Sequence, residues 1–443
     1  MEFVIRISQF LLSLSLLIVL HELGHFIPAK AFKTKVEKFY LFFDVKFSLF
    51  KKKIGETVYG IGWLPLGGYV KIAGMIDESM DKEQMAQPPQ PWEFRSKPAW
   101  QRLIIMLGGV TVNFILAYFI YVFVAFTYGK TTVSVDSLKD GYWIENELLN
   151  DIGFRTGDKI VAVNDLKVVN DSDVASNIIG AETITIRRNG KEQVIDLPED
   201  FLGQFTDSNS KDLFERRIPF MVAEVADSSA NEKKDLMKGD IFLAINGQRV
   251  QYFDQIDSLV QANGYKDQAV EVKLLRDKDT LSKELRVDAK GKFGIWPGRD
   301  SQRFAELGYY EITSETYGFG ESFAQGGRDF VDTLEKYGAQ LKAIFNPSTG
   351  AYKGVGGFKA IYSIFPSFWS WQAFWVLTAF LSIMLGVLNL LPIPALDGGH
   401  VMFLLYEMIS GRKPSEKFLE RAQLVGFVIL ISLVLMANLN DWI

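Results

Sequence analysis

Residues 103–127 read LIIMLGGVTVNFILAYFIYVFVAFT, a stretch of 25 positions without a charged side chain. A helix needs about 20 apolar residues to cross a bilayer, so this segment is long enough to span one. Three further segments have the same apolar character, and they cover residues 3–27, 371–392 and 422–440. The sequence therefore predicts a multi-pass α-helical membrane protein with four transmembrane helices.

The composition excludes several classes of site and partner. The chain of 443 residues has no cysteine, which removes disulfides, thiolate metal sites and cysteine nucleophiles. Only three histidines are present, so imidazole chemistry is confined to His21, His25 and His400. The net charge of −5 argues against nucleic acid as a partner.

The N-terminal segment has an alternative interpretation as a signal peptide, with Arg6 as its charge and Ala29-Lys30-Ala31 as the cleavage site. A signal-peptide core has no use for the His-Glu-Leu-Gly-His run at 21–25. Ionisable groups at membrane depth usually serve function, so the span is the preferred interpretation.

Lysine and arginine in short loops predict the orientation of the four spans. Residues 28–102 and 411–421 are rich in both, which makes them cytoplasmic under the positive-inside rule. Residues 130–370, with an acidic excess, are then on the outer side of the membrane, as are both chain termini. The basic loops and the acidic outer region thus predict the same orientation of the four spans.

The outer region contains a repeat. Residues 154–165 (FRTGDKIVAVND) recur as residues 236–247 (LMKGDIFLAING), each predicting a Gly-Asp turn, a strand and a hairpin turn. The pattern resembles bacterial PDZ domains, which are α+β folds, and implies copies at 130–210 and 211–298. Such domains bind extended peptides at a sheet edge, so extracytoplasmic peptides are candidate ligands. The residues expected at the peptide-end loop are Arg217, Ile218, Pro219 and Phe220.

Both copies have an alternative interpretation as packing modules or filters without a ligand. Residues 299–370 are expected to connect them to the last two spans at 371–443, as the first two spans occupy 1–129. The apolar positions of residues 323–345 recur at helical spacing. This helix is expected to lie against the membrane or the repeats, or to be ordinary core.

The His-Glu-Leu-Gly-His run carries the chemistry. On a helix, His21 and His25 lie one turn apart on one face, so that both imidazoles can reach one zinc ion. Glu22 is then placed to polarise a water on the metal.

A catalytic zinc needs a third protein ligand and one open position. His400 is a candidate, but Asp397 is the better one, because it follows a span that Pro392 and Pro394 break at membrane depth. We expect Asp397 in a glycine-flexible turn before Gly398 and Gly399. The predicted topology puts it at the same depth as His21.

These motifs resemble intramembrane zinc metalloproteases of the site-2 protease type. The similarity is greatest to the bacterial sigma-E regulator branch, which has tandem PDZ domains and acts on anti-sigma factors. The resemblance covers essentially the whole chain. It rests on motifs shared at 21–26 (HELGHF), 64–71 (LPLGGYVK), 109–113 (GVTVN), 355–357 (VGG) and 389–399 (NLLPIPALDGG).

The resemblance implies that His21, His25 and Asp397 bind one zinc ion and that Glu22 is the general base. It implies a membrane-associated β-hairpin over about 55–75, here expected from Thr57 to Ala73. It further implies a set of residues that contact or shape the substrate, namely Asn389, Asn113, Pro392, Pro394, Gly67 and Gly68.

The sequence therefore predicts a protease that cleaves transmembrane segments of single-span membrane proteins, either anti-sigma factors or signal-peptide remnants. The alternative is a membrane-anchored PDZ adaptor with a non-catalytic metal site. Structural zinc sites close with four protein ligands, which argues against the adaptor. A transporter would need inverted repeats among the spans, and the sequence shows none.

Overall fold

The structure, a computed structural model, describes residues 2–75, 87–208 and 213–442. The chain forms two compact units. One comprises Met1–Gly129, Thr316–Gly338 and Gly354–Ile443, and the other comprises Lys130–Glu315 and Ala339–Lys353. The expected connector at 299–370 is thus divided between the units, and the expected boundary at 210/211 lies outside the described residues.

The described residues contain twelve α-helices and eighteen strands. The helices are α1 (Glu2–Ala31), α2 (Ala99–Tyr128), α3 (Glu147–Ile152), α4 (Asp171–Asn177), α5 (Phe201–Asp207), α6 (Gln255–Ala262), α7 (Ser301–Glu306), α8 (Phe319–Phe345), α9 (Phe358–Ser363), α10 (Trp371–Leu390), α11 (Asp397–Ser410) and α12 (Glu416–Asn440). The strands are β1 (Val36–Leu41), β2 (Phe43–Ile54), β3 (Thr57–Leu64), β4 (Tyr69–Ile72), β5 (Lys130–Val133), β6 (Tyr142–Trp143), β7 (Lys159–Val163), β8 (Leu166–Lys167), β9 (Thr183–Arg188), β10 (Lys191–Asp196), β11 (Glu215–Arg216), β12 (Val222–Val225), β13 (Ile241–Ile245), β14 (Gln248–Arg249), β15 (Ala269–Arg276), β16 (Asp279–Arg286), β17 (Ile295–Pro297) and β18 (Ile312–Glu315).

Within the described residues, four helices are long and apolar enough to cross a membrane, namely α1, α2, α10 and α12. They cover the four predicted spans. Helix α2 packs against α1, α10 and α11. At the crossing of α1 and α2, a Cβ on Gly24 would lie 2.4 Å from the Gly108 carbonyl oxygen. Small residues allow this close backbone approach, as is usual between membrane helices.

The segment between α1 and α2 forms a four-stranded sheet in the order β2-β3-β1-β4. This corrects the hairpin expected over about 55–75, because β3 and β4 pair with opposite edges of β1. The hairpin here joins β2 to β3, with Ile54 paired to Thr57. Gly55, at φ +62°, supplies the left-handed residue that such a tight turn requires.

The second unit confirms the sequence repeat. The sheets β10-β9-β7-β8 and β16-β15-β13-β14 have the same strand order. In each Gly-Asp turn a buried aspartate accepts two hydrogen bonds from an arginine on the neighbouring strand of the sheet: Asp158 from Arg188 at 2.7 and 2.7 Å, and Asp240 from Arg276 at 2.8 and 2.8 Å. The repeated aspartate therefore anchors each copy.

Helix α8 covers the amphipathic stretch, and its first part belongs to the same unit as α2. Phe330 and Leu334 pack against apolar residues of α2, and the Tyr121 hydroxyl lies 3.1 Å from Thr333 Oγ1. A Cβ on Gly326 would lie 2.6 Å from the Val122 nitrogen, so the helices are in backbone contact. Of the expected roles, core packing is the one observed for this part of the helix.

Candidate metal centre and active site

Helix α1 presents both histidines on one face. The Nε2 atoms of His21 and His25 lie 3.3 Å apart, and both side chains are buried. The rings meet edge to face, with centroids 4.9 Å apart. Glu22, the next residue after His21, lines the cavity beside them. The helical spacing thus produces the predicted pair.

Asp397 lies at the first position of α11, and its Oδ2 is 3.4 Å from His21 Nε2 and 3.3 Å from His25 Nε2. This corrects the glycine-flexible turn, because Gly398 and Gly399 are helical. These two positions require glycine for space. A Cβ on Gly398 would lie 2.3 Å from the Leu391 carbonyl oxygen, and one on Gly399 would lie 2.6 Å from the Ile393 carbonyl oxygen.

The three atoms form a nearly equilateral triangle with sides of 3.3, 3.3 and 3.4 Å. A tetrahedral zinc with bonds of about 2.0–2.1 Å holds its ligand atoms about 3.3–3.4 Å apart. Asp397 Oδ2 is buried without a hydrogen-bond partner among the described residues, which a cation would explain. The residues therefore fit a metal ion with one position open.

The second ring nitrogens set which atoms face the metal. His25 Nδ1 lies 2.8 Å from the Ile105 carbonyl oxygen, which can only accept. The proton is therefore on Nδ1, and Nε2 offers its lone pair to the ligand triangle.

Asn113 holds the other imidazole. Its Nδ2 lies 3.1 Å from His21 Nδ1, whereas its Oδ1 is buried without a hydrogen-bond partner among the described residues. A half-turn of the amide would give Oδ1 the Nδ1 proton, the arrangement that a metal on Nε2 requires. Asn113 is fully buried and holds the His21 ring, and its contact with substrate stays a prediction.

Gly109 is a site residue that the sequence analysis quoted only as part of a motif. A Cβ there would lie 2.4 Å from His25 Nε2 and 2.7 Å from His21 Cε1. The side-chain-free surface of α2 is what leaves room for both imidazoles. The G-x-x-x-N spacing was the available signal, since it puts Gly109 and Asn113 on one face of α2.

The other predicted site residues lie at different distances from the ligand triangle. Asn389 lies close to it, with Nδ2 3.4 Å from His21 Nε2. His400 lies outside the group of ligand atoms but lines the same cavity. Pro392 is exposed, and Pro394 packs against α12, where a Cβ on Gly426 would lie 1.5 Å from its carbonyl oxygen.

A cavity of about 480 Å³ opens beside the triangle. Part of its wall is β4, the outermost strand of the sheet among the described residues, together with Gly68. Gly68 lies so near α1 that a Cβ would be 2.4 Å from Ile18 Cγ2 and 3.6 Å from Glu22 Cγ. Gly67 is not among the wall residues but approaches the ring of Phe43 in the same sheet.

Two residues of the expected peptide-end loop are engaged with the rest of the second repeat, and peptide binding by the loop stays a prediction. Phe220 is buried in the core of the second repeat, and the Arg217 guanidinium donates to both carboxylate oxygens of Asp254 at 3.2 and 2.7 Å. The cavity beside Arg217, Ile218 and Pro219 holds about 30 Å³, little more than the volume of a water molecule. A second cavity of about 210 Å³ borders Ile218 together with Arg216.

Comparison with known proteins agrees with this geometry. The family model described as "Peptidase family M50" matches residues 9–433. A Vibrio cholerae protein that carries the name of a zinc metalloprotease is 28% identical over 98% of this chain and 97% of its own length. The "Regulator of sigma E protease" of Haemophilus influenzae is 26% identical over the full length of both chains.

The family match extends over nearly the whole sequence and includes both segments of the ligand triangle. Among the described residues, four helices are long and apolar enough to span a membrane, and one of them carries His21 and His25. These observations favour the protease over the adaptor. The chain belongs to peptidase family M50 and is an intramembrane metalloprotease.

Proposed function

We propose that this protein cleaves the transmembrane segments of single-span membrane proteins, using one zinc ion held by His21, His25 and Asp397. The observation that carries the proposal is the triangle of ligand atoms with sides of 3.3–3.4 Å, next to a cavity that Glu22 also lines. The name of the Haemophilus relative makes anti-sigma factors the first candidate substrates. Signal-peptide remnants are the second.

The bound zinc would supply Lewis acidity for the scissile carbonyl and for water. Glu22 would take the proton of the attacking water and deliver it to the leaving amide nitrogen. Asn389, whose amide lies beside the triangle, would donate to the substrate backbone and hold it extended.

A substrate helix has its amides paired internally, so it must be unwound before cleavage. Strand β4 lines the cavity at the end of the sheet, which supports a role in holding the opened segment alongside it. Gly68 would permit a close backbone approach next to Glu22. In this proposal the sheet replaces the hydrogen bonds that the substrate loses on unwinding.

We further propose that the protein lies in the inner membrane with the repeats outside as PDZ-type domains, and with residues 28–102 and 411–421 in the cytoplasm. The small cavity at Arg217 supports a filtering role for the repeats over capture of a peptide end. Because the chain has no native cysteine, single cysteines report topology cleanly. We expect Asp165→Cys to react with an impermeant maleimide in spheroplasts, and Lys51→Cys to react only after the membrane is opened.

Cleavage of a tagged single-span segment with a shortened outer domain, in detergent or liposomes, tests the activity. Wild type, Glu22→Gln and wild type with a zinc chelator are compared. We expect product only in the untreated wild type, while Glu22→Gln keeps its metal. A fully active Glu22→Gln variant would remove Glu22 from its role, and absence of product across a panel of such segments, despite bound zinc, would contradict the proposed substrate class.

A further inference from the structure

Helix α12 makes its buried contacts with the segment that leads into Asp397. All residues of α12 are described, and only two of them are buried, Gln423 and Gly426. Gly426 lies against the Pro394 carbonyl, as its missing Cβ shows, and Gln423 Oε1 accepts a hydrogen bond from the Ala395 nitrogen at 3.2 Å. A helix that is otherwise exposed thus concentrates its buried contacts on two residues close to a metal ligand.

The backbone donors between α10 and α11 can be counted completely. Leu391 donates to Leu388, Ile393 to Leu391, and Leu396 to Ile393, at 2.7–3.1 Å. The two prolines of this segment have no N–H to donate. The Ala395 N–H is the remaining donor, and its acceptor is the side chain of Gln423. The loop therefore depends on one hydrogen bond from outside itself.

Ala395 has a backbone conformation that alanine rarely adopts, with φ +89°. Residues with a Cβ remain in such a conformation only when their surroundings hold them there. The hydrogen bond from its nitrogen to Gln423 is a direct restraint on that conformation. Asp397 follows two residues later, so the direction of the chain at Ala395 sets where the carboxylate begins.

We infer that Gln423 is a positioning residue for the metal site: its amide oxygen holds the strained Ala395 and thereby places Asp397 against His21 and His25. This inference rests on the proposed metal ligands. Gln423 is 5% exposed on a helix whose other faces are largely open. Burying an amide on a membrane helix is unfavourable unless it is bonded, so simple space filling would be served better by leucine or methionine.

The test uses metal binding and its spectrum. Co²⁺ is titrated into the metal-free full-length protein in detergent, with wild type, Gln423→Met, and Gln423→Met with Ala395→Gly. Methionine matches the size of glutamine but cannot accept the Ala395 hydrogen bond. Glycine adopts a positive φ without strain, so it should restore the loop. Val425→Ala, an exposed position of the same helix, is the matched control.

We expect Gln423→Met to weaken Co²⁺ binding about 10–100-fold, the range found when a metal ligand loses the group that orients it, because release of Ala395 would misplace Asp397. The Co²⁺ absorption bands should shift as well. Adding Ala395→Gly should return affinity and bands toward wild type. Wild-type binding by Gln423→Met would overturn the inference, as would a defect that Ala395→Gly leaves unchanged. If Gln423→Met does not purify as folded protein, Gln423→Asn, which is too short to reach Ala395, takes its place with the same expectations.

A different result of the same titration would contradict the proposed function. If wild type binds neither Co²⁺ nor Zn²⁺, the metal assignment is wrong. If wild type binds the metal and the Gln423 variants behave identically to it, only the positioning role is wrong.

Discussion

Replacing Gly109 by alanine should remove the metal while leaving the fold intact. The added Cβ would lie 2.4 Å from His25 Nε2, about 1 Å inside the 3.4 Å at which ordinary contacts begin. A metal site tolerates errors of about 0.2 Å in ligand distance, so a displacement of this size is about five times too large. The rings cannot easily retreat, because Ile105 and Asn113 hold their outer nitrogens.

We expect zinc affinity to fall more than about 100-fold, or about 2.7 kcal/mol, which exceeds the usual effect of an outer-partner mutation. The change acts on stability in two opposing ways. Alanine in place of glycine inside a helix favours folding by up to about 1 kcal/mol, whereas overpacking of the buried site costs about 1–3 kcal/mol. A variant that still unfolds cooperatively, with a Tm lowered by only a few degrees, but that binds no zinc would separate loss of the metal from loss of the fold.

The assay measures zinc per chain after equilibration in a metal buffer, together with thermal unfolding and substrate cleavage. Gly338→Ala is the matched control, because a Cβ on that helical glycine meets no described atom within 4 Å. Wild-type zinc content and cleavage in Gly109→Ala would refute the view that the bare face of α2 makes room for the ligands.

Three further predictions concern the ligand support, the repeats and the sheet. Asn113→Leu should lower zinc affinity about 10–100-fold in the same titration, whereas Asn113→Asp, which keeps an acceptor for the His21 proton, should lose less. Arg276→Met leaves Asp240 buried and unpaired, so the free energy of unfolding should fall by about 3 kcal/mol in denaturant titration, and an unchanged value would contradict the anchoring role of the turn. Gly68→Ala should slow cleavage with zinc content unchanged, since its Cβ would strike α1 and displace β4; equal rates would argue against the sheet as a substrate support.

The sequence predicted the helices well because membrane spans are set by length and apolarity alone. The ends of the segments expected at 103–127 and 371–392 differ from the ends of α2 and α10 by at most four residues. The spacing of His21 and His25 likewise follows from helix geometry. The approach of Asp397 followed from the predicted topology, because the first and third spans cross in the same direction and so end on the same side of the membrane.

The sequence did not predict features that depend on which backbones touch. The strand order could not be predicted from residues 57–73 alone. Strand β1, which precedes this segment in the chain, lies between β3 and β4 in the sheet. The glycines at 398 and 399 were interpreted as flexible, although their role is to leave space for carbonyls of the preceding loop. The PDZ-like pattern placed Arg217 at the peptide-end loop, but the pattern does not reveal that Arg217 pairs with Asp254, 37 residues later.

The third metal ligand is identified most directly by comparing the zinc content of Asp397→Ala with that of His400→Ala. Each variant is purified from the membrane, equilibrated in the same zinc buffer and assayed for metal per chain. We predict that Asp397→Ala loses the metal and that His400→Ala retains about one zinc per chain, as wild type does. Retention by Asp397→Ala together with loss by His400→Ala would contradict this prediction and make His400 the third ligand.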